Sequence, residues 1–225
     1  YIDIYEPHRN QNGYFSRLVN FHMALDEFKD IYTKNRLALE IQDWLFGQES
    51  ACFTSLTFQC GTQQPIHRDS PYFTTNPEYY YLGVWVALEE VNDQNGALSV
   101  MEGGHLVHEP DRFELLAQIC SENEPINPMD PQLWNIYQEK VSEMCLDQGL
   151  HTKTVSMNPG DTLIWHPHLP HGGSPIRDQT KSRFSIVNHV VPMGVPVSGM
   201  ETFYGRNAPL STANYNYINY DNRNF

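Results

Sequence analysis

FTSLTFQCGTQQPIHRDSPYF, residues 53–73, runs from an alternating, β-forming segment through a turn to a histidine, an arginine and an aspartate in succession. In an extended run successive side chains point to opposite faces, so His67 and Asp69 share one face and Arg68 takes the other. One imidazole and one carboxylate then face a common point.

On either side of this stretch the sequence alternates between strand and helix signals. Upstream, Leu37, Ile41, Trp44 and Leu45 recur at helical spacing and Gly47 closes the pattern, which predicts helical packing material over about residues 14–47. Downstream, YLGVWVAL is a continuous apolar run ended by the turn VNDQNG, after which ALSVM resumes, so strands in antiparallel company are expected. Between about 106 and 153 the helical period returns, with Phe113, Leu116 and Cys120 on one stripe and Leu133, Tyr137, Val141 and Met144 on another. Asp130 and Pro131 suit an N-cap and a first helical residue, and Gly149 a stop. Strands follow in DTLIWH, after the turn Pro159-Gly160-Asp161, and in SRFSIVNHVV.

A strand-rich chain with one helical excursion predicts a mainly β fold with flanking helices: a double-sheet jelly roll, cupin-like, over about 53–192 with a helical insertion. The 225 residues fit a single domain, residues 1–225, with an Asn- and Tyr-rich tail over about 205–225.

The formal net charge of −13 argues against nucleic acid, whose phosphates need Lys and Arg, and fits an acidic surface. No apolar run reaches the roughly 18 residues of a membrane span. No signal-peptide order is present, and the chain begins with Tyr1 rather than Met, as a processed or trimmed N-terminus would. Cys52, Cys60, Cys120 and Cys145 have neither metal-ligand nor disulfide-scaffold spacing, so a reducing cytoplasm is the expected setting. The sequence does not fix an oligomeric state.

A third ligand to join His67 and Asp69 is sought in GDTLIWHPHLPHGGSP, residues 160–175, which offers His166, His168 and His171. His166 and His168 share a face with Thr162 and Ile164, while Pro167 and Pro170 show the strand ending. His171 lies past that end, before Gly172 and Gly173, where a backbone can approach a small ligand closely. Two histidines and one carboxylate form the facial triad of non-haem Fe(II) oxygenases, although a lone His-x-Asp is a weak signal. Twelve residues beyond His171, Arg183, Ser185, Val187 and His189 would share a strand face. A guanidinium aimed into a cavity calls for a carboxylate, and Arg183 with Ser185 suits the distal carboxylate of a dicarboxylic acid.

HRD, HGGSP, RFS and WVALEEVNDQNGALSVMEGGH occur in an order that resembles the phytanoyl-CoA dioxygenase family of Fe(II)- and 2-oxoglutarate-dependent oxygenases. The resemblance covers about residues 53–192. It implies Fe(II) held by His67, Asp69 and His171, with Arg183 binding the C5 carboxylate of 2-oxoglutarate and Trp85 lining the cosubstrate pocket. Gln59 and Gln64 fall where further cosubstrate contacts arise in relatives. The implied reaction consumes O2, converts 2-oxoglutarate to succinate and oxidises an unactivated C–H bond of a small molecule, with a natural-product or amino-acid-like intermediate as the expected kind of substrate. Halogenating relatives replace the carboxylate by a small residue, so Asp69 implies hydroxylation or a related oxidation. Met101-Glu102-Gly103 departs from the family's Pro-Gly approach to His105, which is read as structural.

His166 and His168 are expected to pack behind the site, and His189 to be a satisfied interior histidine. His8, His22, His108 and His151 have no partner pattern. Tyr72 and Phe73 either line a substrate mouth or belong to the core. Glu89-Glu90 reads as a solvated pair. The insertion is either a lid or an outer buttress. Two other classes stay open: a zinc or manganese cupin-like isomerase or hydrolase, which has no need of Arg183, and a non-catalytic jelly-roll module that binds a ligand.

Overall fold

The computed structural model describes residues 12–15, 17–121, 127 and 130–205. The predicted tail falls almost wholly outside them, as does His8. In chain order the elements are β1 (Leu18–Val19), α1 (Asp26–Thr33), α2 (Arg36–Phe46), β2 (Ser50–Phe58), β3 (Thr74–Thr75), β4 (Leu82–Ala87) and β5 (Leu98–Met101). Then come α3 (Arg112–Leu116), α4 (Pro131–Asp147), β6 (Thr152–Val155), β7 (Thr162–Trp165), β8 (His171–Gly173), β9 (Ser185–Pro192), β10 (Val197–Ser198) and α5 (Met200–Phe203). No helix among the described residues is long and apolar enough to cross a membrane.

A major sheet in the order β1-β2-β9-β4-β7 faces a minor sheet in the order β6-β5-β8, and every pairing is antiparallel. The turn after β4 does not close a hairpin. It carries the chain from one sheet to the other, so that Trp85 and Ala87 of β4 pack with Leu98 and Val100 of β5, and with Trp165 and Val187, in the space between. This is the jelly-roll core.

The alternation read in residues 53–60 is not matched by alternating exposure, because β2 and β9 are covered on both faces. Their outer cover comes from α1 and α2, where Tyr32, Ala38 and Leu39 pack on Cys52, Leu82, Val84 and Val190. Asn35 caps α2 and Gly47 ends it in the left-handed conformation. The expected buried stripe is nevertheless the wrong face. Trp44 is 80% and Leu37 68% exposed, with Ile41 and Leu45 also outward. The small Ala38 lets the helix settle close to the sheet on the other side.

The insertion packs a cluster of its own. Leu115 and Leu116 of α3 meet Leu133, Tyr137, Val141 and Cys145 of α4, closed by Met200, Phe203 and Tyr204 at the chain's far end. Phe113, expected on this stripe, is 36% exposed. Asp130 caps α4 and Pro131 opens it.

Arg68 joins this cluster to the core. Its side chain is fully buried, with Nε donating to His168 O at 2.8 Å and Nη2 to Gly104 O and Val107 O, both at 2.8 Å. Nη1 lies 3.4 Å from Glu109 Oε2, which also accepts from Tyr137 Oη at 3.0 Å. From α4, the Gln138 amide accepts from Arg68 N at 2.8 Å and donates to Arg68 O at 3.0 Å, pairing with that peptide as a strand would. Arg68→Met would leave the buried His168 and Val107 carbonyls without this donor and Glu109 without its cation, so about 3–5 kcal/mol of stability should be lost in urea unfolding. A loss under about 1 kcal/mol would show that the network is dispensable.

Burial pushes the Glu109 carboxyl up to about 7, against the opposing pull of Tyr137 and Arg68. The folded chain therefore holds this proton to higher pH than the unfolded chain, and stability falls as pH rises from about 4.5 to about 7. The loss should be of order 1–3 kcal/mol, and Glu109→Gln should flatten it. Urea midpoints of both proteins at the two ends of that range check this, and equal pH slopes would refute it.

Candidate active site

His67 and His171 face each other across a single antiparallel bridge. His67 N donates to His171 O at 2.8 Å, His171 N to His67 O at 2.9 Å, and the rings sit 4.6 Å apart. The His-Arg-Asp tripeptide is thus not a strand, as its alternation suggested. One residue pairs at the edge of β8, and the chain turns at once, with Tyr72 N and Phe73 N both donating to Asp69 O. The turn carries the Asp69 carboxylate to the histidine pair.

Each imidazole is fixed by its rear nitrogen. His67 Nδ1 donates to Pro65 O at 2.8 Å and His171 Nδ1 to Leu169 O at 2.9 Å, which leaves both Nε2 lone pairs facing Asp69. His67 Nε2 is 3.5 Å from Asp69 Oδ1 and His171 Nε2 3.6 Å from Oδ2. One ligand atom from each residue lies within 4.8 Å of the others, and no further group of this kind is found among the described residues. Burial pulls the His171 imidazole down to about 4, so it is neutral and able to donate a lone pair. Burial alone would raise Asp69, but His171, His189 and His67 outweigh it and hold the carboxyl well below its usual range. Two imidazoles and one carboxylate, crowded and buried, form a donor set that fits a divalent transition metal such as Fe(II).

His189 is the residue that sequence reasoning undervalued. Its Nε2 donates to Asp69 Oδ2 at 3.2 Å while its ring packs on Phe73 at 4.7 Å. The contact spans 120 positions, so no local pattern announces it. Gln64 also reaches the group, its Nε2 lying 3.2 Å from His67 Nε2.

The group opens on a cavity of about 480 Å³. On its wall Arg183 is 3% exposed, with Phe58 and Trp85 rings 5.6 and 5.4 Å from its guanidinium carbon. Nη1 donates to Gly96 O at 2.7 Å, but Nε has no partner, and no carboxylate among the described residues pairs with it. Burial lowers the guanidinium to about 10, so it stays charged at neutral pH. The neighbouring Ser185 Oγ is buried and also unpartnered, but the residue is not on the cavity lining, so its expected contact with a carboxylate is not met. An orphaned donor on a buried cation fits a bound carboxylate.

Glu89, read as solvated, helps hold this segment: its carboxylate accepts from Phe184 N and from Ser182 Oγ. Gln59 does not line the cavity, since its Oε1 accepts from Phe15 N at 2.8 Å, and its expected cosubstrate contact is not carried forward. β7 ends at Trp165, so His166 and His168 occupy the connection to β8 rather than a strand face. His166 is exposed, while His168 packs on Tyr79 at 3.9 Å and lies 3.4 Å from Glu109. His105 is exposed near His166. His22, without an expected partner, is buried and bonded to Ser55. Gly172 and Gly173 line the cavity, as expected of a backbone that approaches a ligand, and they also bring β8 close to protein backbone: a Cβ would lie 2.6 Å from Gln64 O at Gly172 and 2.8 Å from Gln63 N at Gly173. Tyr72 and Phe73 do line the cavity, and Trp134 of α4 packs on Tyr72 at 4.4 Å and on His67 at 5.7 Å.

The family model "Phytanoyl-CoA dioxygenase (PhyH)" matches residues 29–185. The chain belongs to the phytanoyl-CoA dioxygenase family. A probable phytanoyl-CoA dioxygenase from Caenorhabditis elegans is 28% identical over 122 residues, 52% of this chain and 33% of that protein. The peroxisomal phytanoyl-CoA dioxygenase of Rattus norvegicus is 27% identical over 120 residues, 52% of this chain and 30% of that one. The matches thus span about a third of the length of these curated relatives. Among solved structures, the epimerase SnoN in complex with Fe3+, alpha ketoglutarate and nogalamycin RO superposes with a TM-score of 0.56 at 18% identity. That match covers 86% of this chain and 72% of SnoN. EctD from S. alaskensis with bound Fe gives 0.57 at 16% identity over 91% of this chain and 64% of EctD. These likenesses establish the shared fold.

In this phytanoyl-CoA dioxygenase family member, the His189 bond should matter to metal binding because it orients the Asp69 carboxylate. His189→Leu is expected to weaken Fe(II) binding by about 10–100-fold, measured anaerobically against a competing chelator, with far-UV circular dichroism unchanged. Unaltered affinity would mean that the bond orients nothing.

Proposed function

We propose that the protein is an Fe(II)- and 2-oxoglutarate-dependent dioxygenase that hydroxylates, or otherwise oxidises, an unactivated C–H bond of a small-molecule substrate. The observation that carries this reading is Arg183: a buried guanidinium with an unpartnered Nε, on the wall of the cavity that His67, Asp69 and His171 also line. A buried cation without a counter-charge is costly, and a carboxylate ligand relieves that cost. A zinc or manganese hydrolase would have the same metal-ligand set and no use for this arginine.

In this reading His67, Asp69 and His171 hold Fe(II), and Arg183 receives the distal carboxylate of 2-oxoglutarate. Trp85 and Phe58 shape the pocket around the guanidinium and keep water from it. When bound, Fe(II), 2-oxoglutarate and O2 supply the oxidising chemistry, with succinate and carbon dioxide as coproducts. The chain's residues bind, orient and exclude competing reactions. α4 acts as a fixed wall of the site, since Gln138 ties it to the peptide between the metal ligands. Four free cysteines suit a reducing compartment, and we place the protein in the cytoplasm.

Anaerobic visible absorption tests the function. Fe(II) followed by 2-oxoglutarate should produce a metal-to-ligand charge-transfer band in the wild-type protein. Arg183→Ala should need about 100-fold more 2-oxoglutarate to produce it, in line with the loss of a buried charged hydrogen-bond partner. Iron-loaded, folded protein that gives no band would count against the assignment and favour the hydrolase or binding-module readings.

A further inference from the structure

We propose that the prime substrate is a small monocarboxylate with an apolar body, its charged group bound by Arg17 at the rim of the cavity. This rests on the Fe(II) and 2-oxoglutarate reading above. Arg17 lies just before β1, is exposed, and lines the same cavity as the metal ligands and Arg183. No carboxylate among the described residues lies within ion-pair distance of it. In a chain with 27 acidic and 14 basic residues, an arginine left unpaired at this spot stands out.

Charge balance gives that arginine a purpose. Asp69 is the only carboxylate among the described lining residues, and Arg17 and Arg183 are the only lysine or arginine side chains. In the loaded site, the charges of Fe(II), Asp69, dianionic 2-oxoglutarate and Arg183 cancel. Arg17 then contributes one uncompensated positive charge, which one substrate carboxylate would neutralise through a bidentate guanidinium pair. A phosphate monoester brings close to two negative charges, and a coenzyme A thioester more, with no lysine or arginine on the described lining besides Arg17 and the already occupied Arg183 to meet them. The passage is lined by more apolar than polar surface, with Val19, Leu56, Phe73 and Val187 beside the polar Asn20, Thr54, Thr62 and Gln64, and Tyr72 stands near enough to feel the charge of Arg17. An apolar body suits that passage.

The test uses the full chain loaded anaerobically with Fe(II) and 2-oxoglutarate, so that Arg183 is already occupied. Carboxylate, carboxamide, amine and phosphate monoester versions of phenyl, cyclohexyl and octyl skeletons are added, together with octanoyl-coenzyme A. Binding is read by calorimetry and by perturbation of the charge-transfer band. At least one carboxylate should bind about tenfold or more tightly than its matched amide and amine. That preference should vanish in Arg17→Ala and turn toward the amine in Arg17→Glu, while the 2-oxoglutarate band itself stays as in wild type. The proposal is overturned if no carboxylate outdoes its amide, if the preference survives in Arg17→Ala, or if the phosphate or coenzyme A ligands bind best. Failure of the functional reading is distinguishable, because the band would then be missing from the iron-loaded wild type before any probe is added.

Discussion

The buried guanidinium of Arg68 is the constraint on which the site depends. It sits between the two candidate metal ligands of one tripeptide, and its donors reach the carbonyls of Gly104 and Val107, where the insertion begins, and of His168, just before the third candidate, His171. A charge this deep is tolerable only when its hydrogen bonds are met, and here three distant segments must converge to meet them. Satisfying Arg68 therefore brings together the pieces that carry His67, Asp69 and His171. The Gln138 pair with the same peptide adds α4 to that convergence.

The candidate metal-ligand group itself is fixed by backbone as much as by side chains. The mutual hydrogen bonds of His67 and His171 set their separation, and the carbonyls behind them set their ring orientation. Gly172 and Gly173 make this possible by letting β8 lie against the 63–66 backbone, a separation no Cβ would allow. Only Asp69 depends on a distant side chain, His189, for its pose.

Much of this was legible in the sequence because the relevant signals are local. The His-x-Asp spacing, the distant histidine before two glycines and Arg-x-Ser each lie within a few residues, and helix caps such as Asp130 and Gly47 are local by nature. What escaped was long-range. The His189 bond to Asp69, the several partners of Arg68 and the turn of Gln59 toward Phe15 join segments tens of residues apart. The exposed face of α2 escaped for another reason: Leu37, Ile41, Trp44 and Leu45 have the stronger apolar spacing, but packing selected the face whose small Ala38 permits close approach.

Arg68 and Arg183 are both buried cations, and they differ in what satisfies them. Arg68 is buried and satisfied by protein carbonyls, so it contributes to a structure that exists without ligand. Arg183 is just as buried, yet one nitrogen is orphaned and its ring neighbours offer only π-faces. A cation held this way raises the energy of the ligand-free protein, and a carboxylate ligand removes that penalty on binding. Under the proposed function, affinity for a dicarboxylate would be prepared in the fold, at the expense of the empty state. The Gly96 carbonyl and the Glu89 contacts to Ser182 and Phe184 hold Arg183 in place against its tendency to reach water. The same segment that looks like a solvated acidic turn in the sequence is what keeps the ligand-binding cation inside.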